Sequence, residues 1–445
     1  MSTIVWFRQD LRLADNPALD AAVKRGEPVI PLYIWSPEDD GDWPPGAASR
    51  WWLHQSLHEL DRSLRTRGSR LTLAKGRATE VLAEIARKTG ATAVHWNRRY
   101  EPAALECSAA VEKTLAARGM QTASFNGALL AEPWDLLNLS GKPYRVYTPY
   151  MRRMVRDLTP PPPLRAPTKL KPPSKWPQSA SLESLALMPR IKWYAGMAER
   201  WQPGEDAAHS RLKRFLKHKL PKYKQERDQP AIDATSGLSP HLHFGEIGPR
   251  QIWHALGAKG RNSTFLSELI WREFAYHLLY HFPQTTTKPQ RPEFASFPWK
   301  RNAKHLKAWQ KGQTGIPLVD AGMRELWTTG VMHNRVRMIV GSFLVKNLLQ
   351  PWQEGTRWFW DTLVDADLAN NTMNWQWVAG SGADAAPYFR IFNPLTQAKR
   401  YDPQSEYVRH WMLGRAPPPT PIVDLATSRE AALDAYADMR RRAKQ

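Results

Sequence analysis

The sequence predicts two domains, an α/β domain with a doubly wound parallel sheet and an all-α domain after it. Strand and helix patterns alternate over residues 1–130, and from residue 201 to residue 445 the apolar spacing is almost entirely helical. Residues 131–200 separate the two patterns. Their proline run at 160–163 favours an extended, partly polyproline linker.

Five short apolar segments of the first domain have the composition of buried strands: TIVWF, PVIPLYIW, LTLAKG, TAVHW and QTASF. Helical stretches lie between them. Asn16 and Pro17 open the first stretch as a cap and a first-turn proline, and Ser49 opens a longer one. Strands that alternate with helices pair in parallel, so we expect a ligand of this domain beyond their carboxyl ends. No G-x-G-x-x-G follows the first strand, so a dinucleotide is not expected there.

Long amphipathic segments predict the main helices of the second domain, at residues 264–281, 317–349 and 357–378. In the last segment, Asp367, Asn371 and Trp375 lie four residues apart and share one helix face. A carboxylate, an amide and an indole on one face suit a large polar heterocycle, because each of these groups needs a partner when buried. A capped helix start with a core tryptophan is the structural alternative.

Two more helical segments present mixed polar faces: Glu268, Trp271 and Arg272 in SELIWREF, and Asn334, Arg337 and Met338 in MHNRVRMIV. Spacings of three and four residues bring each trio together on a helix. A solvated ion pair between Glu268 and Arg272 and an ordinary helix-start role for Asn334 are the structural alternatives. Three such faces within one helical domain favour a shared functional site.

The loop at residues 234–249 crowds small hydroxyls before a predicted helix. These hydroxyls belong to Thr235, Ser236 and Ser239. Hydroxyls and unpaired backbone N–H groups at a helix start bind phosphate well, although they also make an ordinary capping turn. His241 and His243 follow, and we predict a satisfied pair and no metal, because no third ligand is evident.

Composition narrows the class of protein. The chain carries 63 Lys and Arg against 42 Asp and Glu, a net charge of +21, which favours a polyanionic partner such as nucleic acid. Its 21 tryptophans suit core packing, base stacking or redox chemistry. Cys107 is the only cysteine, so no intramolecular disulfide is expected. Charge comes too early in MSTIVWFRQDLR for a signal peptide, and no apolar run could span a membrane, so we predict a cytoplasmic protein.

Several long motifs resemble one known family. SGLSPHLHFGEI, ELIWREF, GIPLVDAGMREL, MHNRVRM and DLANNTMNWQWVAGSGADAAPYFRIFNP resemble the flavin domain of the DNA photolyase/cryptochrome family, and VWFRQDLRLADNPAL resembles its N-terminal opening. The resemblance covers essentially the whole chain. It implies FAD in the helical domain, active in its reduced, anionic form. It also implies light-driven splitting of cyclobutane pyrimidine dimers in ultraviolet-damaged DNA, by a monomer without a metal.

The resemblance implies which residues hold FAD. Tyr223, Thr235, Ser236, Gly237, Leu238 and Ser239 match the phosphate side, and Arg272, Arg337, Asp365, Asp367 and Asn371 match the flavin and ribityl side. Gly237 stands where many photolyases have arginine, which removes one phosphate contact. Asn371 matches the residue that faces flavin N5, where an amide oxygen can accept a hydrogen bond from N5–H. A carboxylic acid there would favour a neutral radical, so Asn371 favours repair over plant-type cryptochrome signalling.

The lesion side matches as well. The pocket for the flipped-out dimer matches Glu268, Asn334, Met338, Trp271 and Trp377, with Glu268 as the acid that stabilises the radical anion of the dimer. Contacts to the DNA backbone match Arg227, Arg335 and Arg390. An electron relay from the flavin to the surface matches Trp375, Trp352 and Trp299. Relatives that repair (6-4) photoproducts carry histidine at the position of Asn334, which favours cyclobutane dimers here.

A cryptochrome-like blue-light photoreceptor and a (6-4) photolyase are the alternative activities. SRWWLHQSL and SPHLHFGEI look closer to plant cryptochromes and a related bacterial photolyase branch than to the best-known bacterial enzymes. A signalling relative is expected to carry a long C-terminal extension, which this sequence does not show. A DNA-binding flavoprotein without catalysis is a third alternative, which Glu268 disfavours. The resemblance implies that the first domain, residues 1–130, binds an antenna chromophore, and it favours methenyltetrahydrofolate, with a deazaflavin as the alternative.

Overall fold

The computed structural model describes residues 1–261, 263–385, 389–414 and 420–443. The first domain contains the strands β1 (Ser2–Phe7), β2 (Val29–Trp35), β3 (Thr72–Lys75), β4 (Ala91–Asn97) and β5 (Gln121–Phe125). All pairings are parallel, in the order β3-β2-β1-β4-β5, which confirms the predicted doubly wound sheet. Each strand coincides with one of the five apolar segments, because strands covered on both faces are apolar along their length.

Four helices cover the two faces of the sheet: α1 (Pro17–Lys24), α2 (Ala47–Arg65), α3 (Ala78–Thr89) and α4 (Pro102–Ala116). Asn16 caps α1 as predicted, because its side chain accepts a hydrogen bond from Leu19 N (3.1 Å). The start predicted for α2 at Ser49 is two residues too late. The Asp361 carboxylate of the second domain accepts from Ala47 N (2.8 Å) and so caps α2 from outside its own sequence.

The rest of the chain is helical, and within the described ranges no strand follows β5. The helices are α5 (Tyr147–Asp157), α6 (Ala195–Arg200), α7 (Glu205–Arg214), α8 (Tyr223–Glu226), α9 (Ser239–His243), α10 (Pro249–Gly260), α11 (Thr264–His281), α12 (Ala303–Gln310), α13 (Pro317–Thr329), α14 (Asn334–Ser342), α15 (Trp352–Thr362), α16 (Leu368–Ala379), α17 (Pro394–Tyr401), α18 (Glu406–Met412) and α19 (Leu425–Arg442). Wider π-helical turns follow α7 and α14, at Phe215–Lys219 and Phe343–Asn347. None of the helices described has both the length and the apolar character needed to cross a bilayer.

The helix predicted at 264–281 is confirmed as α11, but the two longer predicted helices are wrong, because each is a pair of helices. α13 ends at Gly330, whose φ of +68° lies in the left-handed region, and α14 begins after His333. α15 and α16 separate before Asp367, whose side chain caps α16. Each break places a polar residue at the start of a helix. The spacing of apolar residues alone does not show where such a start lies.

The segment between the two domains is only partly extended. Residues 158–182 contain no helix or strand, in agreement with the proline run. The residues before them form α5, so an extended conformation over the whole segment is wrong. α5 buries Tyr147, Tyr150 and Met154 in the core of the second domain, because their helical spacing places them on one face.

The carboxyl ends of β1 and β4, where the strand order reverses, face the second domain. Side chains fill this crevice: the Asp10 carboxylate accepts from Arg8 N (2.6 Å) and from Asn97 Nδ2 (2.6 Å). The remaining cavity is about 10 Å³, which has room for about one water molecule at most. A ligand beyond these strand ends stays a prediction.

The same edge holds the two domains together. The guanidinium of Arg12, 1 % exposed, donates to the carbonyl oxygens of Asp15 (2.7 Å), Gly127 (2.7 Å) and Gly245 (2.9 Å). Gly245 has a φ of +65°, and a Cβ at this position would lie 2.0 Å from the backbone oxygen of Gln9. Only glycine permits this approach, which fixes the turn after α9 against the first domain.

His277 on α11 predicts a loss of stability in acid. Its Nε2 accepts from Tyr144 N (2.9 Å), and burial, together with nearby His281, lowers the pKa of His277 to about 3. The unfolded chain binds this proton below about pH 6.5 and the folded chain does not, so the free energy of unfolding falls as pH drops from about 6.5 to about 3. H277Q keeps a hydrogen-bond acceptor for Tyr144 N. As the pH falls from about 6.5 to about 3, its melting temperature should fall by fewer degrees than that of the wild-type protein. H58Q, which replaces an exposed histidine, is the control. If H277Q and the wild-type protein lost equal stability in acid, His277 would not be the group responsible.

Candidate active site

The second domain contains a large open cavity of about 1290 Å³. Most of the site residues predicted from the sequence line it: Tyr223, Arg227, Thr235, Ser236, Gly237, Leu238, Ser239, Glu268, Trp271, Arg272, Asn334, Arg335, Arg337, Met338, Asp365, Asp367, Asn371, Trp375, Trp377 and Arg390. Trp352 and Trp299 are not part of its walls. Polar helix faces from distant parts of the chain therefore meet on one surface.

Asp367 is a buried carboxylate in the cavity wall. Its Oδ1 accepts from Asn370 N (2.8 Å), which caps α16, and its Oδ2 accepts from the Tyr276 hydroxyl. Nδ1 of His243 lies 3.9 Å from Oδ2. Burial by itself raises the pKa of this carboxyl, but His243, Arg272 and Tyr276 outweigh burial and hold the pKa well below its ordinary value. Asp367 is thus a fixed negative charge, a helix cap and a cavity residue at once.

Asn371 lies one turn further along α16. Its Nδ2 donates to the Thr356 carbonyl of α15 (3.1 Å). Because that carbonyl requires a donor, the amide orientation follows, and Oδ1 is the atom left to accept a hydrogen bond in the cavity. Trp375 lies on the same face of α16. Its ring packs so closely on Gly355 that a Cβ at position 355 would lie 2.0 Å from it. Among the described residues, the buried Nε1 of Trp375 has no hydrogen-bond acceptor.

Arg337 and Asp365 form an ion pair in the cavity wall. Arg337 Nη2 lies 3.1 and 2.9 Å from the two Asp365 carboxylate oxygens, and its Nε donates to Met332 O (2.7 Å). The Ser239 hydroxyl also donates to Asp365 (2.6 Å). One carboxylate therefore ties the start of α9 to the guanidinium of Arg337 on α14.

The loop that precedes α9 turns at Gly237, whose φ of +62° favours glycine. Ser236 Oγ accepts from Leu238 N (3.3 Å), and Lys219 Nζ donates to Thr235 O (3.2 Å). The loop thus offers hydroxyls and backbone N–H groups beside a lysine, an arrangement that suits an anion.

The histidines after this loop have protein partners. His241 is fully buried and its Nδ1 contacts the Glu246 carboxylate, whereas His243 faces Asp367. In the part of the chain that the structure describes, no group of three His, Cys, Asp or Glu residues is placed to hold a metal ion.

Glu268 pairs with Arg227 on the cavity wall. Arg227 Nη1 donates to Glu268 Oε1, and the Glu268 side chain is 34 % exposed. The ion pair between Glu268 and Arg272, one structural alternative from the sequence, does not form. Arg272 instead donates to Ala128 O (2.9 Å) and lies 4.9 Å above the Tyr276 ring.

Aromatic rings and arginines lie on the part of the cavity wall that the sequence predicts for the lesion. Trp271 stacks on Tyr147 of α5, with ring centroids 3.5 Å apart and planes at 7°. The predicted DNA-contacting arginines have neighbours in the structure: Arg335 donates to Asp228 (2.8 Å), and Arg390 lies 6.0 Å from the Trp377 ring. One face of Trp271 is therefore already covered, and Tyr147 extends that aromatic wall.

Of the three predicted relay tryptophans, one lies in the cavity wall, and the other two lie in or against the same hydrophobic core. Trp375 lines the cavity, and Trp352 belongs to the same core and is 1 % exposed. Trp299 packs against this core and is partly exposed. A relay to the surface requires such an arrangement, and the order of transfer stays a prediction.

Sequence analysis missed several residues that hold the predicted ones in place, chiefly Asp228, Tyr276 and Thr356, and three cavity arginines, Arg200, Arg211 and Arg214. Tyr276 follows Arg272 by four residues on α11, so helical spacing could have placed the two together. The others carry no local signal, because their partners come from distant segments.

The cavity fits the FAD that the resemblance implies. Its volume exceeds the roughly 300–1,000 Å³ of common ligand pockets, as a dinucleotide beside a second ligand requires. Asn371 offers an unused acceptor, Trp375 an unused donor, and the loop at Thr235 and Ser236 an anion site. These groups match a flavin ring and a diphosphate.

Comparison with known proteins agrees with this site. The family model "DNA photolyase" matches residues 3–168, and "FAD binding domain of DNA photolyase" matches residues 265–417. Deoxyribodipyrimidine photo-lyase of Agrobacterium fabrum is 46 % identical over 98 % of both chains, and cryptochrome-2 of Arabidopsis thaliana is 40 % identical over 93 % of this chain and 71 % of its own. The crystal structure of a bacterial class III photolyase from Agrobacterium tumefaciens aligns with a TM-score of 0.94 at 45 % identity, over 99 % of this chain and 98 % of that one. The chain is thus an FAD-binding member of the DNA photolyase/cryptochrome family.

Proposed function

We propose that the protein is an enzyme that uses light to split cyclobutane pyrimidine dimers in DNA. The observation that carries this proposal is a single cavity lined by Asn371 on the flavin side and by Glu268, Asn334 and Met338 on the lesion side. The photo-lyase name of the relative from Agrobacterium fabrum supports it. So does the net charge of +21, which suits a DNA partner.

Reduced FAD, when bound, supplies the electron that opens the dimer and receives it back afterwards. The protein contributes orientation and electrostatics. Asn371 Oδ1 would accept from flavin N5–H, because its Nδ2 already donates to Thr356 O. Arg337 favours negative charge on the ring, and Asp365 and Met332 hold its guanidinium in place.

Glu268 is the residue that we assign to the dimer, and Arg227 is its ion-pair partner. In the structure, Arg227 donates to Glu268 Oε1. A DNA phosphate would compete for this guanidinium and leave Glu268 without its cation. A carboxyl group donates a hydrogen bond only in its acid form, which is the form in which the family resemblance assigns Glu268 to the dimer. Protonated Glu268 can donate to a carbonyl oxygen of the dimer as negative charge develops there.

The aromatic wall offsets the cost of flipping the dimer out of the duplex. Flipping costs a few kcal/mol, and least at damaged sites. A ring such as Trp271 or Trp377 returns about 1–3 kcal/mol per stacked base. Tyr147 holds Trp271 in a fixed plane, so little entropy is lost on binding.

The proposal is tested by illuminating the purified, reduced protein with two oligonucleotides, one with a cyclobutane dimer and one with a (6-4) photoproduct. We expect repair of the cyclobutane dimer alone, and no repair in darkness. Repair of the (6-4) product alone would instead support a (6-4) photolyase. No repair of either lesion by protein with reduced flavin would support the second candidate, a cryptochrome-like photoreceptor, which the cryptochrome relatives favour.

We further propose an antenna chromophore, methenyltetrahydrofolate, on a ladder of three tryptophans. Trp193 and Trp327 lie 4.9 Å apart with planes at 24°, and Trp327 and Trp358 lie 6.1 Å apart with planes at 8°. Trp327 is 48 % exposed, which is unusual for so large an apolar ring. A planar pterin can stack on these rings.

W327A should lose the antenna absorption band and keep the bound FAD, because the ladder lies outside the cavity walls. W134A, at another exposed tryptophan, is the control and should keep both chromophores. Absorption spectra of the extracted chromophores separate a folate from a deazaflavin. An unchanged antenna in W327A would exclude the ladder as its binding site.

A further inference from the structure

Three arginines lie together on the cavity wall beside the loop at Thr235 and Ser236: Arg200 at the end of α6, and Arg211 and Arg214 at the end of α7. The guanidiniums of Arg200 and Arg211 both lie over the Trp201 ring, at 5.6 and 4.9 Å. Among the described residues, none of the three forms an ion pair with a carboxylate. Positive charges at this density repel one another unless an anion lies between them.

Arg211 also occupies the space beside Gly237. A Cβ on Gly237 would lie 2.6 Å from Arg211 Nη1, so the guanidinium sits where a side chain at position 237 would begin. Asp233 carries a charge that acts on Arg211, but its carboxylate is bound to Lys219 at 2.7 Å. Burial and neighbouring Arg214 lower the pKa of Arg211, as expected for a cation that lacks its counterion.

We propose that Arg211 binds the diphosphate of FAD, and that it supplies from α7 the guanidinium that Gly237 cannot supply from the loop. This inference rests on FAD occupying the cavity, as in the proposed function. A guanidinium donates two parallel hydrogen bonds to phosphate oxygens, which makes arginine a strong phosphate ligand. The hydroxyls and backbone N–H groups of residues 235–239 complete the anion site from the other side.

A purely structural role is the competing explanation. Arginines in the last turn of a helix interact favourably with its C-terminal dipole, and stacking on Trp201 would hold α6 and α7 together. That role requires no anion. It predicts that loss of Arg211 lowers the melting temperature of the apoprotein and that no change at position 237 compensates.

The experiment measures the dissociation constant for FAD with full-length protein stripped of flavin and then titrated. We expect R211Q to bind FAD about tenfold or more weakly, because a charge-assisted pair to phosphate is lost, and R211K to lie between R211Q and wild type. K213Q removes an exposed charge from the same helix and should bind as wild type does.

The double variant R211Q/G237R separates the two roles. The arginine at position 237 places a guanidinium in the space that Arg211 occupies in the wild-type protein, so we expect the double variant to regain much of the FAD affinity. A side chain at a φ of +62° costs some stability. Wild-type affinity in R211Q, or no recovery in R211Q/G237R together with a lower apoprotein melting temperature, would overturn the proposal. Failure of the wild-type protein to bind FAD would instead remove the proposed function itself.

Discussion

Replacing Glu268 with alanine lowers the number of dimers repaired per absorbed photon and leaves FAD bound. The reason is the loss of the hydrogen bond that the carboxyl group gives to the dimer as negative charge develops. A hydrogen bond to a charged group contributes about 1.5–3 kcal/mol. Its loss slows ring opening about tenfold or more, so that return of the electron to the flavin competes better. The quantum yield of repair, measured with reduced enzyme and saturating DNA, tests this prediction.

E268Q is the matched variant for this test, because an amide keeps a hydrogen-bond donor at the same place. We expect its quantum yield to lie between those of E268A and wild type. The FAD absorption spectrum is the internal control, because we assign Glu268, which lines the cavity, to the dimer and not to FAD. A wild-type yield in E268A would show that the carboxyl group does not touch the dimer.

Replacing Trp375 with phenylalanine slows the photoreduction of oxidised FAD by about tenfold or more, because the indole beside the cavity is the first electron donor of the proposed relay. Repair by enzyme that is already reduced should stay near the wild-type level, since the relay takes no part in it. Transient absorption after a laser pulse measures the first rate, and a repair assay after chemical reduction measures the second. The substitution leaves a void beside Gly355 and should also cost some thermal stability.

Trp309 provides the control for Trp375. Its ring lies 6.3 Å from the Trp375 ring in the same core and makes a hydrogen bond to Val340 O (3.1 Å). W309F therefore creates a similar packing defect without removing a predicted relay member. Normal photoreduction in W375F, or equal slowing in both variants, would show that Trp375 does not start the relay.

Much of the fold can be predicted from the local spacing of apolar residues in the sequence. The five strands are predictable because buried parallel strands are apolar along their length, and α11 because its apolar residues recur with helical spacing. The breaks at Gly330 and Asp367 are less visible, because both flanking helices are apolar on the same side. The start of α2 could not be predicted, because its cap is Asp361, which lies 314 residues away along the chain.

By itself, the sequence determined which groups are available to the site, since Asn371, Glu268 and the hydroxyls at residues 235–239 lie in motifs whose residue types and spacing are local properties. Only the tertiary structure decided how those groups are paired. Arg227 and Glu268 form a hydrogen bond although they are 41 residues apart in the sequence, and Tyr276 and Asp367 form one although they are 91 residues apart. Such contacts depend on how helices pack, and packing depends on the whole core, so no local pattern encodes them. The charge and orientation of each site group, and with them its chemistry, are therefore properties of the folded chain.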